Sequence, residues 1–225
     1  MHIGLIGGIG PAATYFYYLG IIRAVDDLGG ELELTIAHAS TPALIANFGS
    51  GDEAAQAEIF KRLIDQLRAA GAEVAAVTSI GGHFCIDALK RISALPLIDI
   101  VEAVAEEIQG GGYKKLGIIG TRKAMETRLY GGLSSVEIVL PDEADLDRVH
   151  RHYVAMAVPG MVTEAQRKVF FSVGRRLCED QGAEAVLLGG TNLFLAFDDQ
   201  DCGFKTIDCA AIHVAALARA ASSRL

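Results

Sequence analysis

Two periodicities alternate along the chain. Short apolar runs at 3–6, 32–38, 74–78, 97–98, 116–119, 136–140, 186–188 and 206–207 are the candidate strands. Several are continuous rather than alternating, which is the pattern of strands covered on both faces. Amphipathic stretches lie between them. In 52–70, Ile59, Leu63, Leu67 and Ala70 recur at helical spacing, and in 166–181 Val169, Val173 and Leu177 form one stripe. A last helix is expected over 209–222. Strands alternating with helices predict an α/β fold in which parallel sheet is covered by helices.

The pattern also repeats. Ile3-Gly4-Leu5-Ile6-Gly7 resembles Leu116-Gly117-Ile118-Ile119-Gly120, and Gly71-Ala72-Glu73-Val74 resembles Gly182-Ala183-Glu184-Ala185. Leu97-Ile98-Asp99 likewise resembles Thr206-Ile207-Asp208, each pair separated by roughly 110 residues. Two similar α/β halves are therefore expected: 1–100 with the C-terminal helix 209–225 packed back on it, and 101–208. They are expected to meet across a cleft. Parallel sheets bind ligands at the carboxyl ends of their strands, so two facing halves bring two such ends onto one small molecule.

Composition narrows the function classes. Of 225 residues, 51% are apolar and 21% charged, the balance of a folded globular protein. The net charge is −8 and no Lys/Arg cluster interrupts it, which argues against nucleic acid or an anionic membrane as partner. No uncharged apolar stretch reaches the ~18 residues of a membrane span. The four cysteines, Cys85, Cys178, Cys202 and Cys209, form no C-x-x-C pair. With no export signal at the start, they point to a reducing cytoplasm without disulfides or bound metal.

Gly8-Ile9-Gly10-Pro11-Ala12-Ala13 fits the glycine pattern of a dinucleotide loop. The second strand, however, ends in His38-Ala39-Ser40, without the acidic residue that holds a ribose. No cofactor is expected. Gly8, Gly10 and Pro11 are read instead as a loop offering backbone N–H groups to a carboxylate, the alternative being a tight turn without ligand. Two strand ends stand out, Val77-Thr78-Ser79-Ile80-Gly81-Gly82-His83 and Leu188-Gly189-Gly190-Thr191-Asn192. The repeat pairs Ser79 with Gly190.

On these residues the sequence resembles the cofactor-independent aspartate/glutamate racemase superfamily. The similarity runs through 4–14, Gly71-Ala72-Glu73, 120–126, Pro141-Asp142-Glu143, 182–191 and 207–213. It implies two Rossmann-like halves related by a pseudo-twofold axis, a homodimer, and a small acidic amino acid or related carboxylate as ligand. It also implies two catalytic thiols, one removing the α-proton while the other protonates the opposite face. A thiol suits both tasks because its ordinary pKa lies near ~8.5.

The resemblance places those thiols at Ser79, four residues before His83, and at Gly190, before Thr191. Neither position holds a cysteine, and Asn192 stands where the resemblance calls for Glu. A serine hydroxyl is a far weaker acid and glycine has no side chain, so two-thiol racemisation is not available. Candidate substitutes are His38, His83 and Cys85; Cys209, opening the last helix, is a further one. Candidate ligand-binding residues are Gly8, Gly10, Pro11, Thr78, Gly81, Thr121, Arg122, Thr191 and Asn192. Arg128 and Tyr130 are further candidates beside Arg122, which has the shape to pair a distal carboxylate. The competing reading of the Ser, Thr and Asn residues is helix capping.

The reading is an isomerase acting with other catalytic residues. The alternatives are a carboxylate-binding pseudo-enzyme, or a decarboxylase or other lyase using Thr78-Ser79 to stabilise an enediolate.

Overall fold

The first apolar run forms strand β1 (His2–Gly7), buried along almost its whole length. The computed structural model describes residues 1–198 and 200–222. Two compact units divide the chain, one comprising Met1–Asp99 with the segment from His213 onward, the other Ile100–Ile212.

In the first unit, α1 (Pro11–Asp27) follows β1 and buries Ala13, Tyr17, Ile21 and Val25, a stripe four residues apart. Pro11 takes the first helical position, where its missing N–H costs nothing. Strand β2 (Glu33–His38), helices α2 (Thr41–Ser50) and α3 (Glu53–Ala69), and strand β3 (Val74–Val77) come next. The predicted helix 52–70 is α3 with its two caps: the Asp52 carboxylate accepts from the Ala55 N–H, and Ala70 closes the far end. A tight 3-10 turn (Ile80–Cys85) then leads into α4 (Ile86–Ile92).

The sheet is parallel, in the order β2-β1-β3. A fourth strand was expected at 97–98; only a bridge forms there, Leu97 beside Ala75. Pro96 lacks the N–H that a longer ladder would need, so pairing is confined to Ala75 N–H with the Pro96 carbonyl and Ile98 N–H with the Ala75 carbonyl.

The second unit opens with α5 (Ile100–Gly111) and β4 (Lys115–Gly120). There follow α6 (Arg122–Glu126), β5 (Glu137–Val139), α7 (Glu143–Ala157), α8 (Glu164–Glu179), β6 (Ala185–Gly189), α9 (Phe194–Phe197) and β7 (Thr206–Asp208). Helix α10 (Cys209–Ser222) ends the described chain. The predicted helix 166–181 begins two residues earlier, because Thr163 and Gln166 form a reciprocal capping box. This sheet is also parallel, in the order β5-β4-β6-β7.

Both sheets therefore carry their first strand inside, the second on one flank and the third on the other. The sequence repeat is visible in the packing as well. A Cβ on Gly4 would stand 3.0 Å from Leu67 Cδ1 of α3, and one on Gly117 would stand 3.0 Å from Leu177 of α8. In each unit a glycine in the central strand lets a leucine of the covering helix lie against the backbone. No helix among the described residues is long and apolar enough to cross a membrane.

Candidate functional site

The change of direction from β1 to its two neighbours puts the first unit's candidate residues at one end of its sheet. Gly7 lies opposite His38 at the end of β2, and Ile6 lies opposite Val77 at the end of β3. Gly8 follows with φ +143°, and a side chain there would meet the Ala39 carbonyl at 2.7 Å. Gly10 is left-handed at φ 70° and hands the chain to Pro11. The Thr41 hydroxyl donates to the Gly8 carbonyl at 2.5 Å, which fixes the loop.

Thr78 is engaged structurally. Its hydroxyl donates to the Ile6 carbonyl at 3.0 Å, so the Thr14 hydroxyl, also at 3.0 Å, is the donor to Thr78 Oγ1. Two hydroxyls thus staple β3 and α1 to the end of β1. The enediolate reading needs Thr78 Oγ–H for a ligand, and that proton is already held.

Ser79 differs. Its backbone is extended, its carbonyl accepts from Gly82 N–H and from His83, yet its side chain makes no capping hydrogen bond. The hydroxyl is buried on a rigid backbone and left out of the turn it precedes. Gly81 is open above it, with only Ser79 Oγ, at 3.6 Å, near where its Cβ would be.

His83 holds that backbone. A carbonyl only accepts, so the 2.8 Å contact puts the proton on Nδ1, donated to Ser79 O. Nε2 faces Asp99 at 3.6 Å, whose other oxygen takes Lys90 Nζ at 2.6 Å. Burial lowers the His83 pKa against the opposing pull of Asp99 and the Ser79 carbonyl. The imidazole orients Ser79's main chain and does not reach for its hydroxyl proton.

Cys85 donates to the Gly82 carbonyl at 3.4 Å, and burial pushes its thiol up to about 12. Little thiolate exists near neutrality, which removes the basis for Cys85 as a substitute base. His38 is exposed at its strand end.

In the second unit, Thr121 caps α6 by accepting from Ala124 N–H at 3.1 Å, so the capping reading describes it. Arg122 was expected to await a carboxylate from the ligand. Its guanidinium already meets three: Asp147 at 2.6 Å, Glu143 at 2.9 Å and Glu126 at 2.6 Å. Those bonds, Asp147's above all, hold its pKa further above the usual value. Its backbone N–H donates to His150 Nδ1 at 3.2 Å. Arg128 and Tyr130 flank Leu129 in a run of three left-handed residues.

The end of β6 is built differently. The turn closes by Leu193 N–H to the Gly190 carbonyl at 2.9 Å, and no side chain caps α9. Thr191 and Asn192 are buried; Thr191 Oγ1 and Asn192 Oδ1 have no hydrogen-bond partner. Asn192 Nδ2 reaches Tyr153 Oη of α7 at 3.4 Å. A Cβ on Gly190 would lie 2.4 Å from Tyr153 Cε2, 2.9 Å from Cζ and 3.1 Å from Oη, so the phenol edge fills the space of side chain 190. Burial pushes the phenol up to about 12, with the Asn192 side chain pulling the other way. Behind them Cys209 meets the Gly190 backbone, and burial holds its thiol well above the ordinary range.

Comparison with known proteins places the fold. The family model for Asp/Glu/Hydantoin racemase matches residues 6–217. The chain belongs to the Asp/Glu/Hydantoin racemase family. A solved Asp/Glu racemase candidate from Yersinia pestis is 31% identical, with 98% of this chain and 99% of that one covered and a TM-score of 0.84. An aspartate racemase homologue from Pyrococcus horikoshii is 27% identical over 98% and 99%, with a TM-score of 0.79. The glutamate racemase of Francisella tularensis, solved with D-glutamate, shares the fold at 17% identity and a TM-score of 0.64, over 96% of this chain and 78% of that one.

In this racemase-family chain, Tyr153 is the residue beside the candidate positions that sequence reasoning overlooks. It continues the buried stripe Leu146, Val149, Tyr153, Met156 of α7, and such a stripe reads as core. The one available signal is Gly190: a second glycine at a strand end is where another side chain can approach the backbone. Among the described residues, no group of three or more His, Cys, Asp or Glu side chains is placed to hold a metal ion.

Proposed function

We propose that this racemase-family protein binds a small acidic amino acid or a related carboxylate and labilises the proton on its α-carbon, as an isomerase that works without two thiols. Family membership over 6–217 supports the ligand class. The observation that carries the chemistry is Ser79: a buried hydroxyl on a clamped backbone, at the end of the third strand, not used as a cap.

The first unit supplies the rest. β2 and β3 flank β1, so His38 and Ser79 stand two strand spacings apart, roughly 10 Å. The Gly8–Gly10 loop and the start of α1 lie between them. A carboxylate over that loop gains the N-terminal end of a 17-residue helix and the Ser79 hydroxyl. His38 is the proposed proton acceptor. His83 and Cys85 are held by backbone carbonyls, whereas the His38 imidazole is exposed at its strand end.

The test is α-proton exchange in deuterated water, followed by proton NMR with each enantiomer of aspartate and glutamate. Loss of the α-proton signal, much slowed in His38→Ala and Ser79→Ala, is the expected result. A melting shift with these ligands but no exchange overturns the isomerase reading and leaves a binding protein.

A further inference from the structure

The second unit holds a cluster of buried polar groups at the end of β6. Thr191 Oγ1 and Asn192 Oδ1 are buried without partners, and a buried polar atom left unpaired is destabilising. Both belong to a turn whose helix they do not cap. The third member, Tyr153 Oη, accepts from Asn192 Nδ2 at 3.4 Å. That bond uses an oxygen lone pair and leaves the phenol proton to be donated elsewhere. Gly190 is what admits the ring, since any Cβ there would overlap it.

Two hydroxyl donors and an amide oxygen are thus gathered at the carboxyl end of β6, where a parallel sheet receives its ligands. Their chemistry complements an α-amino acid: hydroxyls for a carboxylate oxygen, an acceptor for the ammonium. We propose that Tyr153, seated in the space left by Gly190, donates its hydroxyl to a carboxylate oxygen of the ligand, with Thr191 as second donor and Asn192 orienting the phenol. The choice of a carboxylate rests on the function proposed above. Neutral donors of this kind bind an oxygen more tightly as negative charge builds on it. The site therefore favours an ionised carboxylate over the neutral acid.

The experiment uses the full chain with tyrosine labelled by 13C at Cζ. Tyr153→Phe identifies the Tyr153 resonance by its loss. Saturating aspartate or glutamate is expected to move that resonance, and to move it less in Thr191→Val. In ligand titrations Tyr153→Phe is expected to weaken binding by about tenfold, the loss of one hydrogen bond to a charged group. A merely structural tyrosine would give a lowered melting temperature with the ligand affinity unchanged.

A second variant checks the seat. Gly190→Ala displaces the ring, and the ligand-induced shift is expected to vanish while circular dichroism stays that of a folded chain. An unmoved Cζ resonance with all four ligands, or a Tyr153→Phe protein binding them with wild-type affinity, overturns the proposal. A moved resonance without any exchange upholds the Tyr153 site and sinks the isomerase reading, so the two failures are distinguishable.

Discussion

The phenol of Tyr153 and the backbone of Gly190 occupy one side-chain volume between them: a Cβ on residue 190 would lie 2.4 Å from Tyr153 Cε2. Tyr153 is buried on α7 and Gly190 directly follows β6, so neither gives way cheaply. Gly190→Ala is expected to cost about 1–3 kcal/mol, the usual range for overpacking. Combined with Tyr153→Leu it should cost less than the two single losses added, a coupling that a double-mutant cycle in urea measures. Strict additivity would mean the two positions do not share the space.

Stability on the acid side should be governed in part by His213. Its Nε2–H donates to the Ile98 carbonyl at 2.8 Å, and its Nδ1 accepts from the Tyr17 hydroxyl at 2.9 Å, which fixes the neutral tautomer. Burial, with His83 nearby, holds its pKa down to about 3. The unfolded chain takes a proton below about pH 6.5 and the native one does not until about 3, so stability falls as pH drops through that window. His213→Gln is expected to flatten the slope of unfolding free energy against pH by about one proton. An unchanged slope would show that the ring is protonated in the native state.

Asp208 should act in the opposite sense. Its carboxyl accepts from Ala210 N–H at 2.7 Å and Ala211 N–H at 3.4 Å, and burial raises its pKa to about 6. The folded state keeps this proton above the pH at which the unfolded chain releases it, so stability is lost as pH rises from about 4 to 6. Asp208→Asn keeps the acceptor oxygen and removes the charge. Its melting temperature relative to the wild type should climb across that interval and level off above it; a constant difference contradicts the shift.

Arg122 provides a negative expectation. Three carboxylates already surround its guanidinium, at 2.6, 2.9 and 2.6 Å. Arg122→Gln should leave ligand-induced melting shifts for aspartate and glutamate unchanged. It should lower the melting temperature at low salt through repulsion among Glu126, Glu143 and Asp147, and the deficit should shrink as salt is added. Loss of the ligand shift would return Arg122 to the binding site.

Much of the fold was legible because its signals are local. Asp52 before an amphipathic stretch, Pro11 after a glycine loop and continuous apolar runs each act over a few residues, and α3, α1 and the strands formed accordingly. Residues 97–98 did not, since an apolar pair beside Pro96 cannot sustain a ladder. At the candidate site the same residue types took different tasks. Thr121 caps a helix, Thr78 staples two elements, and Thr191 does neither. Nothing in the residue type distinguishes a hydroxyl that has a partner from one that lacks it.

By itself, then, the sequence determined the α/β class, the repeated strand-and-helix pattern, the racemase family and the absence of cysteine at 79 and 190, because periodicity, repeat and residue identity are properties of the chain. Only the tertiary structure decided what stands in the space at 190. Packing α7 against the sheet carries Tyr153 to a glycine 37 positions away, and it commits Arg122, His83 and Cys85 to partners within the protein. Such contacts depend on which surfaces bury each other, and no local spacing encodes that.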